Sequence, residues 1–459
     1  MEQRTDIVII GSGLTGLTTA FYLRKAGLKV LVLEKNDGPG GVMQTYKKDG
    51  FTYEAGPNTG VVSSTELVEL FDDLKLDFEV PEHESKVRWI WKKGRWEALP
   101  SGLVSAIGTP LFRLGDKLRI LGEPFRKKGH NPDETLAQLV RRRMGKSFLN
   151  YAIDPFISGI YAGDPETLVT RYAMPKLYAL EQNYGSFIRG SIAKSRQVKS
   201  ALEKRVNKSV FSVHGGFSTL LAALLKGVGE ESVLCPVSQL SIQSAESGFQ
   251  VSFVQGAENH KVHAAKVIST IHSSGLSALF PFIPRTDIEK LENLRYARVV
   301  QVAVGYKQWS GIPLHAFGGL VPTCEKEQIL GILFPSALFK GRSPKGGALL
   351  SVFMGGIKRP ELYALSDDEL RAIAIEAVER MMQCNTAPDL LEVFRYERAI
   401  PQYEQSTGER LKAIEEIQMA FPGLILAGNI RDGIGMSDRV KQGRLLADKL
   451  INSFKSPAQ

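Results

Sequence analysis

Cysteine is scarce in this chain: Cys235, Cys324 and Cys384 are the only three in 459 residues. Their wide spacing excludes a disulfide scaffold and a cysteine-based zinc site, and fits a reducing, cytoplasmic compartment. No stretch reaches the ~18 apolar residues that a membrane-spanning helix needs. The longest uncharged run in the first half outside strands and glycine turns, Ala98 to Phe112, is broken by Pro100 and Pro110. The N-terminus leads at once into a four-residue apolar run and a glycine turn, unlike a signal peptide. Seven histidines are dispersed, and no Ser/His/Asp constellation is evident. The charge balance, 58 − 49 = +9, comes from scattered basic residues with no recognition motif, which argues against nucleic acid. With 43% apolar and 23% charged residues, disorder is excluded too.

Glycine, by contrast, is plentiful, at 44 residues without a triplet period, which points to tight turns. Asp6 to Ile10 is a β-branched run of the kind a buried parallel strand shows. It leads into Gly11-Ser12-Gly13-Leu14-Thr15-Gly16, a helix over Leu17 to Ala26 closed by Gly27, and a second strand, Lys29 to Leu33, ending at Glu34. This is the strand–turn–helix–strand setting of a dinucleotide site, and Glu34 stands 21 residues after Gly13, near the expected ~20. Gly11 permits the turn, Gly13 admits a pyrophosphate to the backbone, and Gly16 lets helix and strand pack closely. The helix N-terminus faces the phosphates, and Glu34 suits ribose hydroxyls.

A second glycine-rich turn, Gly38-Pro39-Gly40-Gly41, follows within seven residues of Glu34, and Glu54-Ala55-Gly56-Pro57-Asn58-Thr59 comes later. More backbone N–H groups at the diphosphate favour FAD over NAD. At the far end, Leu424 to Asn429 reads as a short buried strand, Gly433 to Met436 as a turn, and Ser437 as the N-cap of a last helix. That helix would fold back and aim its N-terminus at a polar edge of the cofactor.

Gly11 to Gly16, Gly40-Gly41 and the Gly428 to Met436 turn together resemble the FAD-dependent amine oxidase superfamily. Within it, Asp154-Pro155-Phe156 through Gly163-Asp164-Pro165 resembles the protoporphyrinogen oxidase/coproporphyrinogen III oxidase family. Leu99 to Gly102, Lys117 to Pro124, Pro175 to Leu177 and Glu181 to Ser186 agree in spacing, so the likeness runs from about residue 5 to 450. It implies an α/β (α+β overall) architecture: a Rossmann-like FAD domain from residues 1–85, 207–270 and 415–459, a substrate domain on an antiparallel sheet from 86–97 and 271–414, and a helical, membrane-facing subdomain over 98–206. Val299–Val304, Leu349–Phe353 and Leu391–Tyr396 are expected strands of the substrate sheet, and Ser366 to Glu369 is a capping box opening a helix to about Met382.

Carried residue by residue, the resemblance implies non-covalent FAD contacts at Gly11, Ser12, Gly13, Leu14, Thr15, Gly16, Glu34, Lys35, Gly40, Gly41 and Val42. It continues them at Gly56, Pro57, Asn58, Thr59, Val237, Asn429, Ile434, Gly435 and Met436, with no metal site. Substrate would meet Gly163. Some members hold a substrate propionate with an arginine near Trp89-Ile90-Trp91; here Lys92 and Lys93 stand there, and Lys92 is the expected contact, one that cannot grip a carboxylate bidentately. Leu333, Phe334 and Phe353 are candidates for the ring pocket. No side chain is assigned as catalytic. The implied reaction is oxidation of protoporphyrinogen IX to protoporphyrin IX in porphyrin and heme biosynthesis, six electrons in three hydride steps to the flavin, with O2 as acceptor giving H2O2. Coproporphyrinogen III as substrate, and a monoamine oxidase or carotenoid desaturase activity, are the alternatives. The partners implied are the porphyrinogen, the electron acceptor, an anionic membrane surface near Ala98–Phe112 and its flanking basic residues, and a second copy of the chain as homodimer.

Overall fold

In the computed structural model, residues 3–81, 87–100 and 108–455 are described. Two seven-stranded sheets organise them. The β-branched run ahead of the first glycine forms β1 (Gln3–Ile10), followed by α1 (Leu14–Lys25) and β2 (Val30–Leu33). β1 pairs in parallel with β2 on one side and with the strand Glu258–Ser269 on the other. It is therefore central, and Ile7, Val8 and Ile9 are completely buried, as a strand covered on both faces demands. α1 ends at Gly27, which turns at φ 86 and gives its N–H to Arg24 O, the left-handed exit that glycine takes without strain.

The alternating run Phe249–Phe253 and the stretch from His260 form a hairpin, Gly248–Gln255 with Glu258–Ser269, on this first sheet. From the far end of the chain, Leu424–Leu426 also pairs in parallel with Glu258–Ser269. The expected run to Asn429 stops at Leu426, because Gly428 turns at φ 83 and Gly428–Ile430 makes one 3-10 turn. One face of the sheet is covered by α1, by the helices Thr65–Leu74 and Phe217–Val228, and by the C-terminal helix Met436–Lys455. The other is covered by Arg285–Glu292 and Thr407–Ala420. The boundary expected at 414 thus falls inside Thr407–Ala420, and Arg285–Glu292, beyond the one expected at 271, packs on the first sheet as well.

The second sheet runs Leu390–Pro401, Tyr296–Tyr306, Ala348–Gly355, Ile329–Leu333, Gly318–Leu320, Arg88–Lys92, Arg95–Ala98. All three expected strands lie in it. It is antiparallel except where Gly318–Leu320 runs parallel to Arg88–Lys92. Its back carries the helix Asp367–Met382, opened by the expected box: Ser366 Oγ accepts the Glu369 N–H, and Glu369 accepts the Ser366 N–H at 2.8 Å.

Between Leu114 and Arg205 the chain is a set of short helices around a buried charge network. Arg143, wholly buried, donates to Glu123 at 2.6 Å and Glu181 at 2.7 Å. Glu123 also accepts the Phe187 and Ile188 N–H groups, capping the helix Phe187–Ser195 from outside its own sequence. Of the apolar run Ala98–Phe112, residues 101–107 lie outside the described residues. Leu111 and Phe112 are buried against Ile90 and Ala152, so that end is core rather than a lipid-facing surface.

Candidate functional site

The first turn is built for a ligand at one point only. At Gly16 an added Cβ would lie 2.1 Å from Gly11 O, and at Gly11 2.8 Å from Thr270 Oγ1; both are packing glycines. At Gly13 nothing lies within 4 Å, so the backbone there borders open space. No side chain caps α1 and no acid stands in its first turn, which leaves its N–H groups and positive dipole end for an anion. Leu14 and Thr15 turn their side chains into the interior, so only their backbone can serve.

The second glycine turn lies directly on the first: Gly40 donates its N–H to Ser12 O at 3.0 Å, and a Cβ on Gly41 would sit 3.4 Å from Gly13 Cα. Glu34, at the end of β2, is buried; Oε2 accepts the Ser12 N–H at 2.9 Å and hydroxyl at 2.8 Å, and Oε1 the Asn36 N–H at 3.0 Å. A carboxylate has about four lone-pair positions, so one remains on Oε1 for a ribose hydroxyl. Val237 is beside it, giving its N–H to Glu34 O at 2.8 Å, and Lys35 and Val42 are exposed at the rim. These features fit the adenosine diphosphate part of FAD.

The chain's far end meets this turn. Gly443 of the C-terminal helix packs on α1, with an added Cβ 2.8 Å from Thr15 O, and Thr15 Oγ1 reaches Arg439 O at 3.3 Å. The helix starts at Met436, one residue before the expected cap. Ser437 is inside it, its Oγ 3.0 Å from Ser64 Oγ, and Asp438 takes the Gly435 N–H at 3.1 Å instead. Met436 is buried in the first core, whereas Ile434 packs toward the helical region and Gly435 is exposed.

The second sheet closes the site, with the expected Leu333 and Phe353 joined by residues the sequence did not single out. Register places two rows on one face: Arg88, Gly318, Leu333, Ser351, Ala303, and Ile90, Leu320, Gly331, Phe353, Gln301. Ser351 Oγ donates to Asn58 Oδ1 at 2.8 Å. Gln301 accepts the Gly56 N–H at 3.1 Å and donates to Glu54 O at 2.7 Å. Gly56, Pro57, Asn58 and Thr59 are thereby fixed to the face that continues across Phe353 and Leu333. Behind Glu54, the buried Arg342 joins Glu54, Glu79 and Ser212; burial, eased by Thr45 and Arg342, holds the Glu54 carboxyl above its usual range. A cavity of about 170 Å³ opens between Gly41, Val42, Ala55 and Phe394 and Tyr396 of the edge strand.

Gly163 is buried opposite this face. It follows the helix Asp154–Tyr161 and a left-handed Ala162 at φ 45, whose carbonyl takes the Ile357 N–H at 2.8 Å. Lys358 ties both aspartates of the segment, pairing closely with Asp154 and standing 3.7 Å from Asp164. Phe353 packs near Ala162, as a pocket residue would, but Phe334 is wholly buried in the core on the sheet's other side. Lys92 directs its ammonium to Pro110 O and Leu111 O, at 3.0 and 2.7 Å, and lies over Tyr151. It acts as a strut between hairpin and helices. Arg88, four residues earlier on the same face, has no carboxylate partner among the described residues; it stands over Phe317, and burial depresses its pKa.

The chain matches the flavin containing amine oxidoreductase family over residues 14–451. It is 30% identical to the protoporphyrinogen oxidase of Bos taurus (97% of this chain, 98% of that one) and 26% identical to the coproporphyrinogen III oxidase of Bacillus subtilis (strain 168) (99% of each). The fold is shared with a crystal structure from Exiguobacterium sp. 255-15, at a TM-score of 0.81 and 22% identity over 99% of both chains.

Proposed function

The chain belongs to the family of flavin-containing amine oxidoreductases, an FAD-dependent oxidoreductase, and on that premise we propose that it oxidises protoporphyrinogen IX to protoporphyrin IX in heme biosynthesis. FAD, when bound, supplies the hydride acceptor, and O2 reoxidises it. The protein's part is to bind, orient and exclude water. Gly11 to Gly16, Gly40-Gly41 and Glu34 hold the adenosine diphosphate. Gly56 to Thr59 and Asn429 to Met436 hold the ring end. Gly163 is the backbone position at which the macrocycle would meet the protein.

The observation that carries the substrate reading is Arg88. A desolvated guanidinium without an acid favours an incoming carboxylate, and its fork can grip one with two hydrogen bonds. It lies three strands from Ser351, about 14 Å at ~4.8 Å per strand, with Gly318 and Leu333 between. That floor is apolar. Lys92 is engaged with carbonyls, so among the described residues this face offers one unpaired cation. This favours the two adjacent propionates of protoporphyrinogen IX over the four of coproporphyrinogen III, the activity named for the Bacillus subtilis relative.

The test is porphyrin fluorescence from each porphyrinogen supplied in air to the flavin-loaded protein. Protoporphyrinogen IX is expected to turn over faster, and Arg88→Met to raise its KM about tenfold or more with kcat within threefold. Neither substrate yielding porphyrin would overturn the reading.

No helix among the described residues is long and apolar enough to cross a membrane. Leu114, Leu118 and Leu121 of the helix Leu114–Leu121, with Phe125, are 59–84% exposed and interleaved with Arg113, Lys117, Arg126, Lys127 and Lys128. This supports peripheral contact with anionic lipid. Flotation with phosphatidylglycerol vesicles is expected to carry the protein upward, and Phe125→Asp to leave it at the bottom.

A further inference from the structure

The loop between the last strand and the C-terminal helix is held in an unusual way. Five consecutive carbonyls, Asn429 to Gly433, are all bound by side chains from elsewhere. Tyr403 OH lies 3.0 Å from both Asn429 O and Gly433 O. Arg410 Nε donates to Ile430 O at 3.2 Å. Arg439 donates to Arg431 O at 2.9 Å and Asp432 O at 2.8 Å, and to Gln442, which in turn accepts the Gly428 N–H. Both guanidiniums are buried, Arg410 to 1% and Arg439 to 9% exposure, and each keeps one nitrogen without a partner.

Neither forms an ion pair with a carboxylate among the described residues. The nearby acids are engaged otherwise: Asp432 with Arg431 and Gln442, Asp438 with the Gly435 N–H, Glu404 with Arg295 at 3.6 Å. Burying two cations whose acceptors are all neutral, backbone carbonyls with the Gln442 amide for Arg439 and the Thr407 hydroxyl for Arg410, is costly for stability alone. It leaves positive potential, little screened by water, behind the loop that the flavin ring end would meet. A planar trans peptide sets its N–H opposite its C=O, so gathering these carbonyls also fixes which way the loop's N–H groups face.

We propose that Tyr403, Arg410 and Arg439 form a positioning cradle behind the flavin loop, and that the two arginines raise the reduction potential of the bound flavin by stabilising its negatively charged reduced form. The inference rests on flavin binding, which the family carries, and is independent of which substrate is oxidised.

The readouts are the two-electron midpoint potential of the protein-bound FAD and the dissociation constant of sulfite, an anion whose addition to oxidised flavin senses the same field. Flavin occupancy is fixed beforehand by absorbance after release. Arg439→Met is expected to weaken sulfite binding at least tenfold and to lower the potential by about 30 mV, the equivalent of tenfold in a two-electron couple. Arg439→Lys, which keeps the charge, is expected to stay within threefold, as is Tyr403→Phe, which removes none. Should Arg439→Met not fold, Arg410→Met reads the same field from another helix and must weaken sulfite binding at least threefold. Wild-type sulfite affinity and potential in either flavin-loaded methionine variant would overturn the proposal. Flavin-loaded wild-type protein that turns over neither porphyrinogen, while the methionine variants show these shifts, would count against the substrate assignment alone.

Discussion

At Gly13 and Gly16, three residues apart, the same chemical change has opposite consequences. A side chain at Gly13 enters open space bordered by Gly41, whereas one at Gly16 collides with the Gly11 carbonyl. Gly13→Val is therefore expected to fold with nearly unchanged melting temperature and to be colourless even in excess FAD. Gly16→Val is expected to lose about 3 kcal/mol from overpacking against a backbone that cannot yield. Thermal melts paired with flavin absorbance separate the two. Reading both glycines as parts of one motif was possible from spacing. Arg88 was not legible in that way, because nothing local distinguishes it from Lys92. Only their tertiary contacts show that Arg88 stands over Phe317 without a carboxylate among the described residues, while Lys92 has its ammonium on two carbonyls.

The helical segment tests a different kind of interaction. Burial pushes the carboxyls of Glu123 and Glu181 upward, but Ser186, the Phe187 and Ile188 N–H groups and Arg143 outweigh it at Glu123, and Arg142, the Gly129 N–H and Arg143 at Glu181; both pKa values end below the usual glutamate range. A depressed carboxyl stabilises the fold above its unfolded pKa, and that contribution is lost as pH falls through the folded value. Resistance to urea, followed by circular dichroism, is expected to be level near neutrality and to drop below about pH 4.5. Glu123→Gln leaves the wholly buried Arg143 short of a counter-charge, which costs roughly 3–5 kcal/mol, and flattens the acid limb. The elements themselves were largely readable, since β-branched runs, a capping box and closing glycines are local signals. The misplaced starts and stops fall where the controlling contact is not local. Leu424–Leu426 ends at a 3-10 turn whose Gly428 N–H is taken by Gln442, and the C-terminal helix is capped from Asp438 rather than Ser437.

Across the whole molecule, the second sheet is tied by polar side chains to a separate two-stranded hairpin, Gln44–Lys48 with Phe51–Ala55, and the turn after it. Gln301 satisfies both Gly56 N–H and Glu54 O from the second sheet, so Gln301→Leu strands two shielded backbone groups at about 1–3 kcal/mol each. A melting temperature well below wild type and faster flavin loss on dilution are the expected results. No sequence pattern announces such a residue, whose partners lie about 245 positions away.

The placement of β1 has one more consequence, for how the protein is made. β1 is an inner strand, and its neighbour Glu258–Ser269 leaves the ribosome only after roughly 250 further residues, some 10–50 s later at ~5–20 residues per second. Through that interval Ile7, Val8 and Ile9 have an unpaired flank, a template for mispairing that the finished fold removes. Nascent chains of this protein should therefore depend on a chaperone once β1 has emerged, and shed it when the 258–269 strand arrives.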